Sequence, residues 1–226
     1  MKGKLGIILA TMVTGFAVGQ TYNRSPSRPF PNFTVQKGQV DQDGFPISGA
    51  KLCISRRPGI CYQMPSHTAM GNVTYEFGLD PHSERISAIE GNSWIFFSAM
   101  FSAGGSGTLT RFAMLRYEED NGGASITNLL PYTGATDESE HAIWRISSVS
   151  KYPILVEADF IWGQGETHFD SPHFYTAETW TFDPKSDRYA KTLSYKTSKK
   201  YSGGDSTPIQ VLESERRTIL QRLQTK

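Results

Sequence analysis

The chain has 226 residues, with 23 Lys+Arg against 22 Asp+Glu and a formal net charge of +1. That length can bury a full core, and so even a charge balance excludes the basic footprint of a nucleic-acid or anionic-membrane binder. The 21 glycines, the frequent aromatics and the lack of a long helical pattern before the C-terminus predict β structure with many turns.

Lys2 and Lys4 precede an apolar run, Leu5 to Val18, which closes on the small-residue pattern Ala17-Val18-Gly19. A basic start, a short apolar stretch and a small-residue exit form the layout of a secretory signal peptide, here 1–19. The run is too short, and too interrupted by Gly6, Thr11, Thr14 and Gly15, to make a good membrane span, so no stable span is expected after cleavage. The 207 residues that remain carry 21 basic against 22 acidic groups, a formal charge of −1. The expected location is the periplasm or the exterior.

Residues 20–32 are polar and proline-rich, which predicts an exposed linker. From 33 to 226 the pattern predicts a single β-rich domain, with 33–90 a candidate smaller β subdomain within it. Val35 to Ile54 holds short apolar segments punctuated by Asp41-Gln-Asp-Gly44 and Ser48-Gly49, economically two strands joined by a turn. The only cysteines, Cys53 and Cys61, flank a Pro58-Gly59 turn signal. An even pair so close in an exported chain predicts a disulfide that clips a hairpin. Half of a metal site is the competing reading, but neither a CxxC spacing nor a neighbouring His supports it.

Gly38-x-Val40, then Asp43-Gly44-x-Pro46-Ile47-x-Gly49-Ala50-x-Leu52, resembles the opening of carboxypeptidase regulatory-like β-sandwich domains over some fifteen residues. The chain is one residue short between Val40 and Gly44, and the cysteine loop stands where the family's next strands would begin. The resemblance implies an extracytoplasmic β-hairpin and no activity.

Ser93 to Phe101 is apolar on both parities, as expected of a central strand covered on both faces. Gly104 to Gly107 breaks it, and Thr108 to Tyr117 predicts the next strand, ending at a turn over Glu118–Gly123. Ile154 to Trp162 alternates. Ile154, Val156, Ala158, Phe160 and Trp162 share one face, while Glu157 and Asp159 point the other way. Phe174 to Phe182 and Arg188 to Tyr195, joined by Asp183-Pro-Lys-Ser-Asp187, make the clearest hairpin. Leu212, Ile219, Leu220 and Leu223 recur at helical spacing, with Glu213 and Glu215 early and Arg222 late, so a short amphipathic helix ends the chain. The expected fold is mainly β, an antiparallel sandwich or curved sheet with a short C-terminal α-helix.

From Trp94 onward the chain also resembles a group of uncharacterised exported bacterial proteins. The matching residues are Asn128-Leu-Leu-Pro131, Ser139 to Trp144, Ala158 to Gly163, Glu166-x-His168, Tyr195-x-Thr197-x-x-Lys200-Tyr201 and Glu215-x-x-x-Ile219-Leu220. The resemblance implies export and one continuous fold, and it adds nothing about chemistry.

One polar cluster stands out: Glu157, Asp159, Glu166, His168, Asp170 and His173. Imidazole with carboxylate suits a divalent metal, and Asp159, Glu166, His168 and His173 are the candidate ligands. The same carboxylates suit acid–base hydrolysis of a sugar. No standard signature matches the spacing, and a solvated turn with local hydrogen bonds is the simpler reading. His141, beside Glu138 and Glu140, is a second candidate base or ligand, and more simply an ion-pair partner. Ser106, in Gly104-Gly105-Ser106-Gly107-Thr108, lacks the final glycine and the helix of a nucleophile elbow. Trp162, at the end of its apolar face beside Gly163, is the first aromatic expected to be exposed, against the alternative that it packs in the core. The Lys191, Lys196, Lys199 and Lys200 stretch, interleaved with tyrosines, predicts a charged edge strand rather than a nucleic-acid surface.

These residues support two functions of different class. The first is a non-catalytic exported binding or accessory protein that recognises a protein or glycan through Trp162, Glu166, His168 and His173, with no cofactor. The alternative is a hydrolase dependent on those carboxylates or on one divalent metal.

Overall fold

The computed structural model describes residues 31–39, 42, 48–65, 67–70, 73–89, 92–102, 108–120, 123–131, 133–136, 139–167, 171–202 and 210–225. The leader, the linker as far as residue 30, Ser106, Glu138, His168 and Asp170 lie outside the described residues. The strands, in chain order, are β1 (Phe33–Gln36), β2 (Lys51–Ile54), β3 (Arg57–Gln63), β4 (His67–Met70), β5 (Val73–Ile89), β6 (Asn92–Ser102), β7 (Thr108–Asp120), β8 (Gly123–Asn128), β9 (Thr133–Thr136), β10 (Glu140–Trp144), β11 (Ile154–Ile161), β12 (Phe174–Asp183) and β13 (Arg188–Lys196). One helix, α1 (Val211–Gln224), comes after them.

The chain is mainly β, in three antiparallel sheets with one short C-terminal helix. The sheets run β1-β2-β3, β4-β5-β6-β7-β8 with β9 added on β7, and β10-β11-β12-β13. The six-stranded sheet lies between the other two. Ile95, Phe97 and Ala99 of β6, with Ala113, Leu115 and Tyr117 of β7, pack on Leu52, Ile54 and Met64 from the three-stranded side. Their neighbours of opposite parity, Trp94, Phe96, Phe112 and Met114, pack on Leu155, Trp180 and Tyr189 from the four-stranded side. The apolar run of Ser93 to Phe101 is thus a strand covered on both faces, because alternate side chains leave opposite faces of the pleat.

The four-stranded sheet has its second face under α1. Ile154, Val156, Ala158, Tyr175, Ala177 and Leu193 meet Val211, Leu212 and Ile219 there. Burial of each such aliphatic side chain contributes about 1.5–3 kcal/mol. The N-terminus of α1 is not capped by its own Gln210. Instead the Glu140 carboxylate, from β10, accepts the Leu212 N–H at 2.6 Å, satisfying one of the orphan donors of a helix start.

Several expectations differ in detail. Within 33–90, β1–β3 make a sheet of their own, while β4 and β5 belong to the six-stranded sheet. The strand expected to end at Tyr117 continues to Asp120, held in part by Glu119, which binds Arg57 at 2.7 Å and the Tyr117 hydroxyl at 2.8 Å. The face of β11 that carries Glu157 is covered rather than wet, and Glu157 accepts the Trp180 indole N–H at 2.7 Å inside the interface. The hairpin at 183–187 forms as expected. Asp183 accepts the Lys185 N–H and the Ser186 hydroxyl, and Asp187 takes the left-handed conformation that closes the turn.

Cys53 and Cys61 are directly opposite on β2 and β3 and form a disulfide. Replacing both by alanine should lower unfolding stability by about 2–3 kcal/mol in urea denaturation, from loop-closure entropy. Gly49 approaches the Met64 and Pro65 carbonyls so closely that a Cβ would fall inside contact distance of both backbone oxygens. Gly49→Ala should therefore cost about 1–3 kcal/mol in the same assay. An unchanged midpoint for either variant would refute the corresponding packing account.

Candidate ligand-binding platform

The site lies at the end of the four-stranded sheet. Ile161 pairs with Phe174, so the next residues, Trp162 and His173, are neighbours across the strands. His173 in turn bridges to Tyr201 by two backbone hydrogen bonds of 2.8 Å. Trp162 continues the face formed by Ile154, Val156, Ala158 and Phe160, but it lies past the part that α1 covers. It is 57% exposed, the exposed large hydrophobic side chain among the described residues.

The indole does not float. It stacks on the His173 ring with centroids 6.1 Å apart and planes 22° from parallel, and Phe160 borders both rings at 5.7 and 5.1 Å. His173 itself is fully buried. Its ring is fixed by Glu166, whose carboxylate accepts from Nδ1 at 2.7 Å, and this places the proton on Nδ1. Glu166 reaches back from the turn after β11. The same carboxylate accepts the Gly163 N–H at 2.8 Å and the Lys200 ammonium at 2.6 Å. A Cβ at 163 would sit 2.5 Å from the Glu166 carboxyl, so any larger residue there would have to push that side chain aside. The Lys200 ammonium, then His173, then the Gly163 N–H lower the Glu166 pKa to about 2.

Tyr201 is anchored from the other side. Its hydroxyl and that of Tyr195 donate to the two oxygens of Glu215, at 2.5 and 2.8 Å. Glu215 belongs to α1 and is on its buried face. Burial, and then the Glu215 carboxylate, push both phenols well above their usual pKa. Lys199 lies 4.8 Å above the Tyr201 ring, and Lys196 lies 4.2 Å above Phe174.

The structure brings together three of the expected residues, Trp162, Glu166 and His173. Asp159 is not among them. Strand alternation sends it to the opposite face, where it accepts the Ser139 hydroxyl. His168 and Asp170 lie outside the described residues. His141 rests against the Phe112 ring at 4.5 Å and belongs to the interface between sheets. Among the described residues, no group of three His, Cys, Asp or Glu side chains is arranged to hold a metal ion. Lys200, Gly163, Tyr201 and Glu215 complete the site, and no sequence signal assigns them to it. Their partners lie 3 to 34 residues away along the chain, and no spacing rule connects them.

Chemically, Glu166 is fully engaged and too acidic to hold the proton that a general acid must deliver near neutrality. An added cation at Glu166 would face the Lys200 ammonium. What the arrangement does offer is a flat indole, propped from beneath and open above.

Because Glu166 ionises more readily in the folded chain, its contribution to stability is present above about pH 4.5 and is lost as pH falls toward 2. The stability gap between the native chain and Glu166→Gln should therefore be widest above pH 5, narrowing through the range from pH 4.5 down to about 2. Urea midpoints across that range test this, and a gap that ignores pH would refute it.

Compared with known protein families, curated proteins and solved structures, the chain gives no match.

Proposed function

We propose that this chain is an exported, non-catalytic binding protein that takes a glycan on Trp162. One observation carries this: a large aromatic ring, more than half exposed, is held rigid by His173, Phe160 and the Glu166 clamp instead of collapsing onto the core. Sugar rings present flat C–H faces that pack on such an indole, while the polar groups at its border meet hydroxyls. A preformed ring saves the entropy of ordering it on binding.

Export to the periplasm or beyond is supported by the leader-like residues 1–19 and by the resemblance to exported bacterial proteins. The Cys53–Cys61 disulfide is weakly compatible with an oxidising compartment. Among the described residues, no helix is long and apolar enough to cross a membrane. The hydrolase alternative, with Asp159, Glu166, His168 and His173 as ligands or acid–base groups, draws less support. Asp159 faces away, His173 is buried, and Glu166 is committed to Lys200.

The test is affinity electrophoresis of the mature protein through gels containing neutral or acidic polysaccharides. Retardation by at least one polysaccharide, reduced about tenfold or more in apparent affinity by Trp162→Ala, is expected, a loss of about 1.4 kcal/mol. Trp94, Trp144 and Trp180 are buried, so a ligand-dependent shift in tryptophan emission should vanish in the same variant. No retardation, or retardation that survives Trp162→Ala, would refute the binding site. Release of reducing sugar from a retained polysaccharide would refute its non-catalytic character.

A further inference from the structure

Along the β10 edge of the same sheet lies a second surface. The sheet order makes β10 an edge strand, and among the described residues no strand pairs with its outer side. Beside it a cleft of about 460 Å³ opens, with Glu140, Ala142 and Trp144 on the strand side and Leu212 and Glu213 on the helix side. That volume falls in the roughly 300–1,000 Å³ range of binding clefts.

Edge strands are usually blunted by charge, above all by lysine. The opposite edge, β13, obeys that rule with Arg188, Lys191 and Lys196. The five residues of β10, Glu140-His-Ala-Ile-Trp144, include no Lys or Arg, and among the described residues no Lys or Arg lines the cleft. Two carboxylates do, Glu140 and Glu213. The Glu140 carboxyl is half-buried, and burial raises its pKa while the Leu212 and Val211 N–H groups pull it down. The wall already shows its preference once within the chain. The Arg216 guanidinium lies 4.7 Å above the Trp144 ring, with Glu213 at 4.0 Å.

We propose that this cleft receives an extended, basic peptide segment of a partner protein, added to β10 as a fifth strand of the sheet. Main-chain pairing along the outer side of β10 gives the affinity, as in other strand additions. Glu140, Ala142 and Trp144 share one face of the strand, so the guest's side chains on that face alternate with those turned away. A lysine or arginine fits beside Glu140 and Glu213, and a small apolar residue fits against Ala142, Trp144 and Leu212. The charge selects a basic segment over an acidic one. The strand addition involves none of Trp162, Glu166 and His173 and does not rest on glycan binding.

The test uses the mature protein at physiological salt and two fluorescein-labelled heptapeptides, Lys-Thr-Val-Thr-Val-Thr-Lys (the Lys/Val peptide) and Glu-Thr-Val-Thr-Val-Thr-Glu (the Glu/Val peptide), whose charged and apolar side chains share one face. The Lys/Val peptide should bind about tenfold or more tightly than the Glu/Val peptide by fluorescence anisotropy. Binding should weaken about tenfold in Glu213→Lys, a position whose side chain is 77% exposed, so the fold is preserved. Glu140→Gln should weaken it as well, while its amide oxygen still accepts the Leu212 N–H. Amide shifts in nitrogen-labelled protein should concentrate on Ser139 to Trp144. Equal binding of the two peptides, no binding by either, indifference to Glu213→Lys, or shifts centred away from β10 would each overturn the proposal.

Discussion

The antiparallel pair β6–β7 is the constraint on which the remaining layers depend. Both of its faces are apolar, with Ile95, Phe97, Ala113 and Leu115 on one side and Trp94, Phe96, Phe112 and Met114 on the other. A strand pair of this composition is stable in water only when something covers each face. The disulfide-clipped sheet β1–β3 covers one, and the sheet β10–β13 covers the other. The second cover is itself apolar on its far side, which is why a helix is needed to finish the stack. Each layer exists because the previous one leaves a greasy face.

The helix does more than shield Ile154, Val156 and Leu193. Its Glu215 gathers the hydroxyls of Tyr195 and Tyr201, and Tyr201 holds His173 by backbone pairing. Trp162 rests on His173. A continuous set of contacts therefore runs from the buried side of α1 to the exposed indole. On the neighbouring strand β10, Glu140 caps the start of α1 and forms a wall of the β10 cleft. Both proposed surfaces are positioned by the docking of one helix on one sheet.

Three of the glutamates around this sheet show how environment divides one residue type among different tasks. Glu166 faces an ammonium, an imidazole and a backbone N–H, and is held strongly acidic. Glu215 lies on the buried face of the helix and is satisfied by two phenols. Glu140 is half-buried against helix-start donors, with burial the larger influence.

Much of this was legible from residues alone where period and punctuation agree. The doubly apolar run at 93–101, the alternation at 154–162, the Asp183–Asp187 turn and the terminal helix all carry local signals, because side-chain direction repeats every two or 3.6 residues. The cysteine pair was equally local. Where the ladder is irregular the signal fails. β5 runs from Val73 to Ile89, yet its register against β6 shifts after Phe77, Leu79 and Arg85, and Gly78 and Pro81 interrupt its pattern. Each bulge inverts which parity faces inward, so no alternation survives to be read. The site was half legible. Trp162, Glu166 and His173 share a short stretch of chain, and their chemistry marks them out. The sequence by itself determined which residues are apolar, where the chain turns, and that an aromatic ends the β11 face beside a glycine. Only tertiary structure decided that His173 is buried beside the indole, that Lys200 neutralises Glu166, and that Trp162 escapes the cover of α1. Those outcomes depend on register and helix placement, which are settled by contacts between segments far apart in the chain.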